Sequence, residues 1–237
     1  MAGINDWEFA KKFDAGFVIL GGFNADRKSM EAGVKAVKRG RREFIFSDPI
    51  SGIKKQLENA LSSGKIIGIN IRSATLEGYI SAARLASEFN AVIEINAHCR
   101  QPEFLEIGCG QSLLFNQEKL VKIVEISSKY ADTIVKIRGG LKVDYGLLSQ
   151  SIFDSGAFMI HVDAMLPKKG ADYKLVRKVS ETGSVIGNNS VRDVESARKM
   201  IESGAKLVSL ARKALQDKDI FKKLLMDDIL ASKIEVV

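Results

Sequence analysis

The chain has 237 residues, 46% hydrophobic and 27% charged, which suits one large α/β barrel or one to two smaller domains and excludes a single-motif module. No stretch approaches the ~20 apolar residues of a membrane span. The start MAGINDWEFAKKF lacks the apolar core of a signal peptide, and two cysteines cannot form a disulfide framework, so the expected location is the cytoplasm. A net charge of +7, from 36 Lys+Arg against 29 Asp+Glu, favours phosphate-bearing partners.

In chain order, seven Val- and Ile-rich runs read as strands: GFVILGG (16–22), KIIGINI (65–71), AVIEINAH (91–98), DTIVKIR (132–138), AFMIHVD (157–163), SVIGNN (184–189) and AKLVSLA (205–211). Such runs suit parallel strands covered on both faces. Amphipathic stretches between them, Leu76–Phe89, Gln117–Tyr130, Val191–Ser203 and Phe221–Lys233, read as helices. Asn116 is placed to cap the second of these, and Ser190 or Asp193 the third. Strand–helix alternation without a break in composition predicts one α/β domain over 1–237.

The strand ends carry the polar residues: Asn70, Asn96, His98, Cys99, Lys136, Arg138, His161, Asn188 and Arg212. In a (β/α)8 barrel these ends converge on one mouth, where active sites form. No G-x-G-x-x-G follows the first strand, which argues against a dinucleotide-binding Rossmann domain. A thiol at Cys99, where a strand becomes a loop, is either a nucleophile or acid, or an unreactive semi-buried group; Cys109 reads as structural. Lys136 interrupts an apolar strand, so it either meets an anion, acts as a Schiff-base amine or snorkels from the strand end. His161 is either a core histidine or a site residue. Asn188-Asn189-Ser190 and Arg212-Lys213 each precede a predicted helix, where free N–H groups suit a phosphate. The run Lys35-Ala-Val-Lys38-Arg39-Gly-Arg41-Arg42 is a solvated helix end or a polyanion contact.

The segments IEINAHC, EIGCGQSLL, VKIRGG, MIHVD, VIGNNSVRD and GAKLVSLARKAL, in this order, resemble the flavin-binding TIM barrel of tRNA-dihydrouridine synthases and, more distantly, dihydroorotate dehydrogenases. Met1-Ala-Gly-Ile-Asn-Asp-Trp7 is similar to that family's P-M-A-G-V-T-D. The resemblance implies an FMN-dependent oxidoreductase in which hydride passes between flavin and a uracil-like C=C bond, with Cys99 as the acid. It implies FMN contacts from Asn70, Lys136, His161, Asn188 and Arg212, and substrate contacts from Asn96 and Arg138. NADPH or NADH would be the reductant. The partner would be a pyrimidine-like small molecule or tRNA, with no membrane and no metal, and with a homodimer one option for the assembly.

The sequence departs from the family pattern where Gly-Cys-Pro becomes His98-Cys99-Arg100, where N-G-D becomes Asn188-Asn189-Ser190, and where G-R-G becomes Ala211-Arg212-Lys213. The arginine of v-H-x-R is absent, Ala164 following His161-Val-Asp. No separate C-terminal tRNA-binding helical domain is expected. GFVILGG aligns with the family's second strand, so the expected architecture is a (β/α)8 TIM barrel lacking its first strand or opening on an atypical one, with a start codon upstream of Met1 as the favoured explanation. Two other readings stand beside the flavoenzyme. One is a flavin-less phosphate-binding barrel with lyase or isomerase chemistry at Lys136; the other is a non-catalytic RNA-binding barrel using Lys35–Arg42.

Overall fold

The computed structural model describes residues 5–166 and 169–232. The part of the opening motif before Asn5 and the end of the last predicted helix, Lys233, lie outside them. The elements run α1 (Trp7–Lys12), β1 (Phe17–Asn24), α2 (Arg27–Lys38), α3 (Pro49–Leu61), β2 (Ile66–Arg72), α4 (Leu76–Glu88), β3 (Val92–Ala97), α5 (Pro102–Leu105) and a 3-10 turn (Gly110–Phe115). They continue with α6 (Gln117–Ser127), β4 (Thr133–Arg138), α7 (Tyr145–Asp154), β5 (Met159–Asp163), the hairpin β6 (Met165–Leu166) and β7 (Gly170–Ala171), α8 (Tyr173–Ser180), β8 (Val185–Asn188), α9 (Val194–Glu202), β9 (Leu207–Ser209), α10 (Arg212–Gln216) and α11 (Ile220–Leu225).

All seven predicted runs form strands of one parallel sheet, in the order β1-β2-β3-β4-β5-β8-β9. The sheet is that of a TIM barrel with an atypical opening. Among the described residues no pairing joins β1 to β9, and the outer edge of β1 meets only an antiparallel bridge from Asn5 to Gly21. The hairpin β6–β7 after β5 has no counterpart in the sequence reading. Two helices end earlier than their periodicity suggests. Gln117 starts a helix capped by Asn116, as expected, but it stops at Ser127. The last helix stops at Leu225, because Asp227 accepts from the N–H groups of Ile229 and Leu230 and pairs with Arg198, turning the chain.

The strands look continuously apolar but alternate. Ile67, Ile69, Ile71, Ile93, Ile95, Val135, Ile137, Ile160, Val162 and Val185 pack outward against the helices in the main core. Each such side chain contributes about 1.5–3 kcal/mol when fully buried. The intervening residues face inward. Toward the strand N-termini they are apolar: Val92, Ile134, Met159 and Ile186 form a separate cluster with Phe17 and Leu207 packed on it. Two residues further along each strand the inward positions become Glu94, Lys136, His161 and Asn188. Period-two alternation on curved strands therefore yields an apolar inner face at one end and a polar mouth at the other.

The loops at the mouth are pinned locally. Asp26 caps α2 through Ser29 N–H (2.7 Å), and its other oxygen accepts from Ser73 Oγ (2.6 Å), Ala74 N–H (2.8 Å) and Thr75 N–H (2.8 Å). One carboxylate thus ties the β1–α2 turn to the β2–α4 turn. Burial alone would raise its pKa, but these donors outweigh burial and hold it below the ordinary value.

Candidate active site

Register places the mouth residues in rows. Asn96 pairs with Lys136 and Lys136 with His161; above them Arg138 pairs with Asp163, Asp163 with Asn188, and Asn188 with Ser209. Asn70 on β2 is paired with Glu94 on β3. Because paired residues of neighbouring parallel strands share a face, all of these side chains enter the same space.

A directed hydrogen-bond chain runs through the lower row. Asn96 Nδ2 donates to Asn70 Oδ1 (2.6 Å), and Asn70 Nδ2 donates to Glu94 Oε1 (2.6 Å). His161 Nδ1 lies 2.5 Å from Glu94 Oε2, and His161 Nε2 lies 3.0 Å from Ser209 Oγ, which accepts from Asn188 Nδ2 (2.9 Å). Every link is satisfied when Glu94 is ionised, His161 is neutral with its proton on Nδ1, and Ser209 donates to Nε2. Burial pushes Glu94 up, but His161, Lys136 and the amide of Asn70 overcome it and hold the carboxyl at about 2. Burial, reinforced by Lys136, pushes His161 below its ordinary value, which agrees with the neutral ring.

Lys136 stands in the middle. It is half-buried and lines the cavity, and its ammonium has no hydrogen bond or ion pair among the described residues. In the upper row, Asp163 accepts from Asn189 Nδ2 (2.8 Å) and lies 3.4 Å from Arg138 Nη1 and 3.5 Å from His98 Nδ1. Burial would raise the Asp163 pKa, yet His98, Asn189 and Lys136 hold it well below the usual carboxylate range.

The β3 exit forms one wall. Asn96 Oδ1 accepts from the N–H groups of His98 (3.3 Å) and Cys99 (3.0 Å), which folds the loop back onto the strand. Arg72, buried at the end of β2, pairs with Glu43 (2.6 Å), donates to the Gly22 carbonyl (2.7 Å), stacks on Phe104 and comes within 3.9 Å of Cys99 Sγ. Cys99 is part-buried, whereas Cys109 is fully buried and its thiol is pushed to about 12 by burial.

The opposite wall holds the residues expected at a phosphate. Asn189 and Ser190 have φ of 79° and 60°, and Arg212 Nη2 donates to Asn189 Oδ1 (3.1 Å). The N-terminal donors of α9 are not free, because Asp193 and Ser196 form a capping box there. What this wall offers an anion is therefore the exposed Arg212 guanidinium beside a left-handed turn, at the start of the five-residue α10, which no side chain caps.

The structure thus brings Asn70, Asn96, Lys136, His161 and Asn188 into one mouth with Cys99 on its wall, leaves Arg212 at the rim, and keeps Arg138 paired with Asp163 outside the cavity lining. A cavity of about 1530 Å³ runs from these residues along the inner face to Phe17 and Phe158 at the far end. Sequence reasoning missed Glu94, Arg72, Asp163 and Ser209. Their signal was present: each lies two residues from, or in register with, a polar residue already noted, on the same inward face. Among the described residues, no group of three or more His, Cys, Asp and Glu could hold a metal ion. No described helix is long and apolar enough to cross a membrane.

Fold and site together define a parallel α/β barrel whose strand C-termini build a polar, ligand-sized mouth. The chain belongs to the same family as Uncharacterized protein MJ0144 of Methanocaldococcus jannaschii, to which it is 32% identical over 233 residues, covering 91% of this chain and 87% of that protein. No family model matches the chain. Among solved structures, morphinone reductase in complex with tetrahydroNAD is similar at a TM-score of 0.66 and 10% identity, over 95% of this chain and 82% of that one. DHODH from Eimeria tenella in complex with ferulenol is similar at a TM-score of 0.58 and 13% identity, over 78% of this chain. The match spans 64% of the DHODH chain. At these identities the likeness shows the TIM-barrel fold.

Proposed function

We propose that the protein is an FMN-dependent oxidoreductase that moves hydride between flavin and a uracil-like C=C bond, with Cys99 as the acid. The observation that carries this reading is Lys136: a half-buried cation with no hydrogen bond or ion pair among the described residues, facing the cavity at the centre of a polar mouth. The residues present fit FMN: Lys136 and Asn70 would face the ring, with His161 behind them, while Arg212 and the Asn188–Ser190 turn would take the phosphate. When bound, flavin supplies the two-electron hydride chemistry.

The chain's own residues bind and orient. Glu94 fixes His161 and Asn70, and Asn96 holds the Cys99 loop and faces the substrate. The two barrels of similar fold support the redox class, and the tetrahydroNAD of morphinone reductase supports NADH or NADPH as reductant. A free pyrimidine-like compound is favoured over tRNA by the basic run itself. Arg39 is committed to Glu103 and Gln101, and Arg41 to Glu43, leaving fewer free charges for a polyanion.

Absorbance of the purified protein and titration with FMN test the reading. We expect binding that Lys136→Met weakens at least ~10-fold. Absence of binding at high micromolar FMN would remove the redox assignment.

A further inference from the structure

The two histidines of the chain both face carboxylates, yet only one is spent. His161 uses both ring nitrogens inside the protein. His98 does not. Its Nδ1 is buried and faces Asp163 Oδ2 at 3.5 Å without completing a hydrogen bond, and Nε2 likewise has none among the described residues. The side chain keeps 29% of its surface open and lines the cavity.

Asp163 is anchored from several sides, by Asn189, by Arg138 and through its own backbone carbonyl to Gly139 N–H (2.9 Å). An ionised carboxylate only accepts, so the Nδ1 that faces it carries the proton and Nε2 of the neutral ring is a lone pair directed at the cavity. Burial and Lys136 favour the neutral ring, against the opposing pull of Asp163 and Glu94. Beside His98 Nε2 the mouth presents two donors, the Lys136 ammonium and the second N–H of Asn96, while the carboxylates of Glu94 and Asp163 are engaged with partners of their own.

We infer that His98, oriented by Asp163, determines substrate specificity: its Nε2 accepts a hydrogen bond from a ring N–H, so the substrate is a lactam or imide with that nitrogen unsubstituted. This rests on the proposed reading of the mouth as the seat of a uracil-like substrate and narrows it. Neighbouring donors take the carbonyl oxygens and His98 takes the N–H, the complement of a –CO–NH– edge. A site with a buried acceptor rejects an analogue that cannot satisfy it far more strongly than a size filter does. Asp163 is a positioning residue, because it acts through the His98 ring.

With only two histidines, ¹⁵N-histidine labelling gives two imidazole spin systems, which His98→Gln assigns. We expect His98 at pH 7 to be neutral with the proton on Nδ1. Uracil should shift its Nε2 resonance, whereas 1,3-dimethyluracil should bind at least ~10-fold more weakly. His98→Leu should erase that discrimination while FMN affinity stays within about twofold, and Asp163→Asn should mix the two tautomers of His98. An imidazolium at pH 7, an Nε2–H tautomer, or equal affinity for uracil and its dimethyl analogue overturns the inference. So does an Nε2 shift produced by FMN alone, which would mean that the acceptor serves the cofactor. Because FMN affinity is measured separately, failure of the flavin reading is distinguishable from failure of the role of His98.

Discussion

His161 and His98 stand in one mouth, and their surroundings differ in one respect that decides what each can do. The His161 side is closed. Its ring is 2% exposed, Glu94 is 1% exposed, and an unbroken run of hydrogen bonds links Asn96 to Asn188. The His98 side is open, with a long contact to Asp163 and a ring edge on the cavity. A fully paired buried network fixes geometry, and a partly paired one at a cavity wall is left to pair with something else. The mouth therefore divides into a scaffold half and a recognition half.

The largest effect that would break this contrast comes from the closed side. Glu94→Ala strands His161 and Asn70 without their partner and should cost about 3–5 kcal/mol in urea unfolding. Glu94→Gln keeps the shape and should cost less. If Glu94→Ala left stability unchanged, the closed network would not be a scaffold.

Acid should expose the same asymmetry. The folded pKa of Glu94, about 2, is depressed from its ordinary 4.5, so its stabilisation is present above pH 4.5 and is lost as the pH falls toward 2. Asp163 acts in the same direction. Denaturation midpoints measured between pH 5 and 2 should fall steeply for the native chain and less steeply for Glu94→Gln.

A smaller effect sharpens the open side. Gly110 has φ of 65°, and a Cβ there would collide with the backbone carbonyl of Cys99. Gly110→Ala should cost about 1–2 kcal/mol and displace the loop that carries His98 and Cys99, leaving the His161 ring resonances in place. Movement of both rings would merge the two halves.

The smallest effect leaves the fold untouched. Cys99 should react with a thiol reagent in the native protein, and Cys109, buried and pushed to about 12, only after unfolding. Two fast thiols would show that the wall behind Cys99 opens.

Much of this was legible in the residues themselves. Hydrophobic runs located all seven sheet strands and the Asn116 cap one helix start, because periodicity and capping are local properties of the chain; of the two caps offered for the helix expected from Val191, Asp193 is the one used, and the helix starts at Val194. Asn70, Asn96, Lys136, His161 and Asn188 were recognisable because a polar residue in a buried strand is conspicuous. Glu94 was passed over, although it sits in the same alternation, since its meaning comes from His161, 67 residues away. The pairing of His98 with Asp163, the Arg72–Glu43 bridge beneath Cys99, and the commitment of Arg39 to Glu103 depend on which strands and loops lie side by side. Local sequence determined which faces of which strands point inward; strand order and register alone decided which inward groups neutralise one another and which remain open to a ligand.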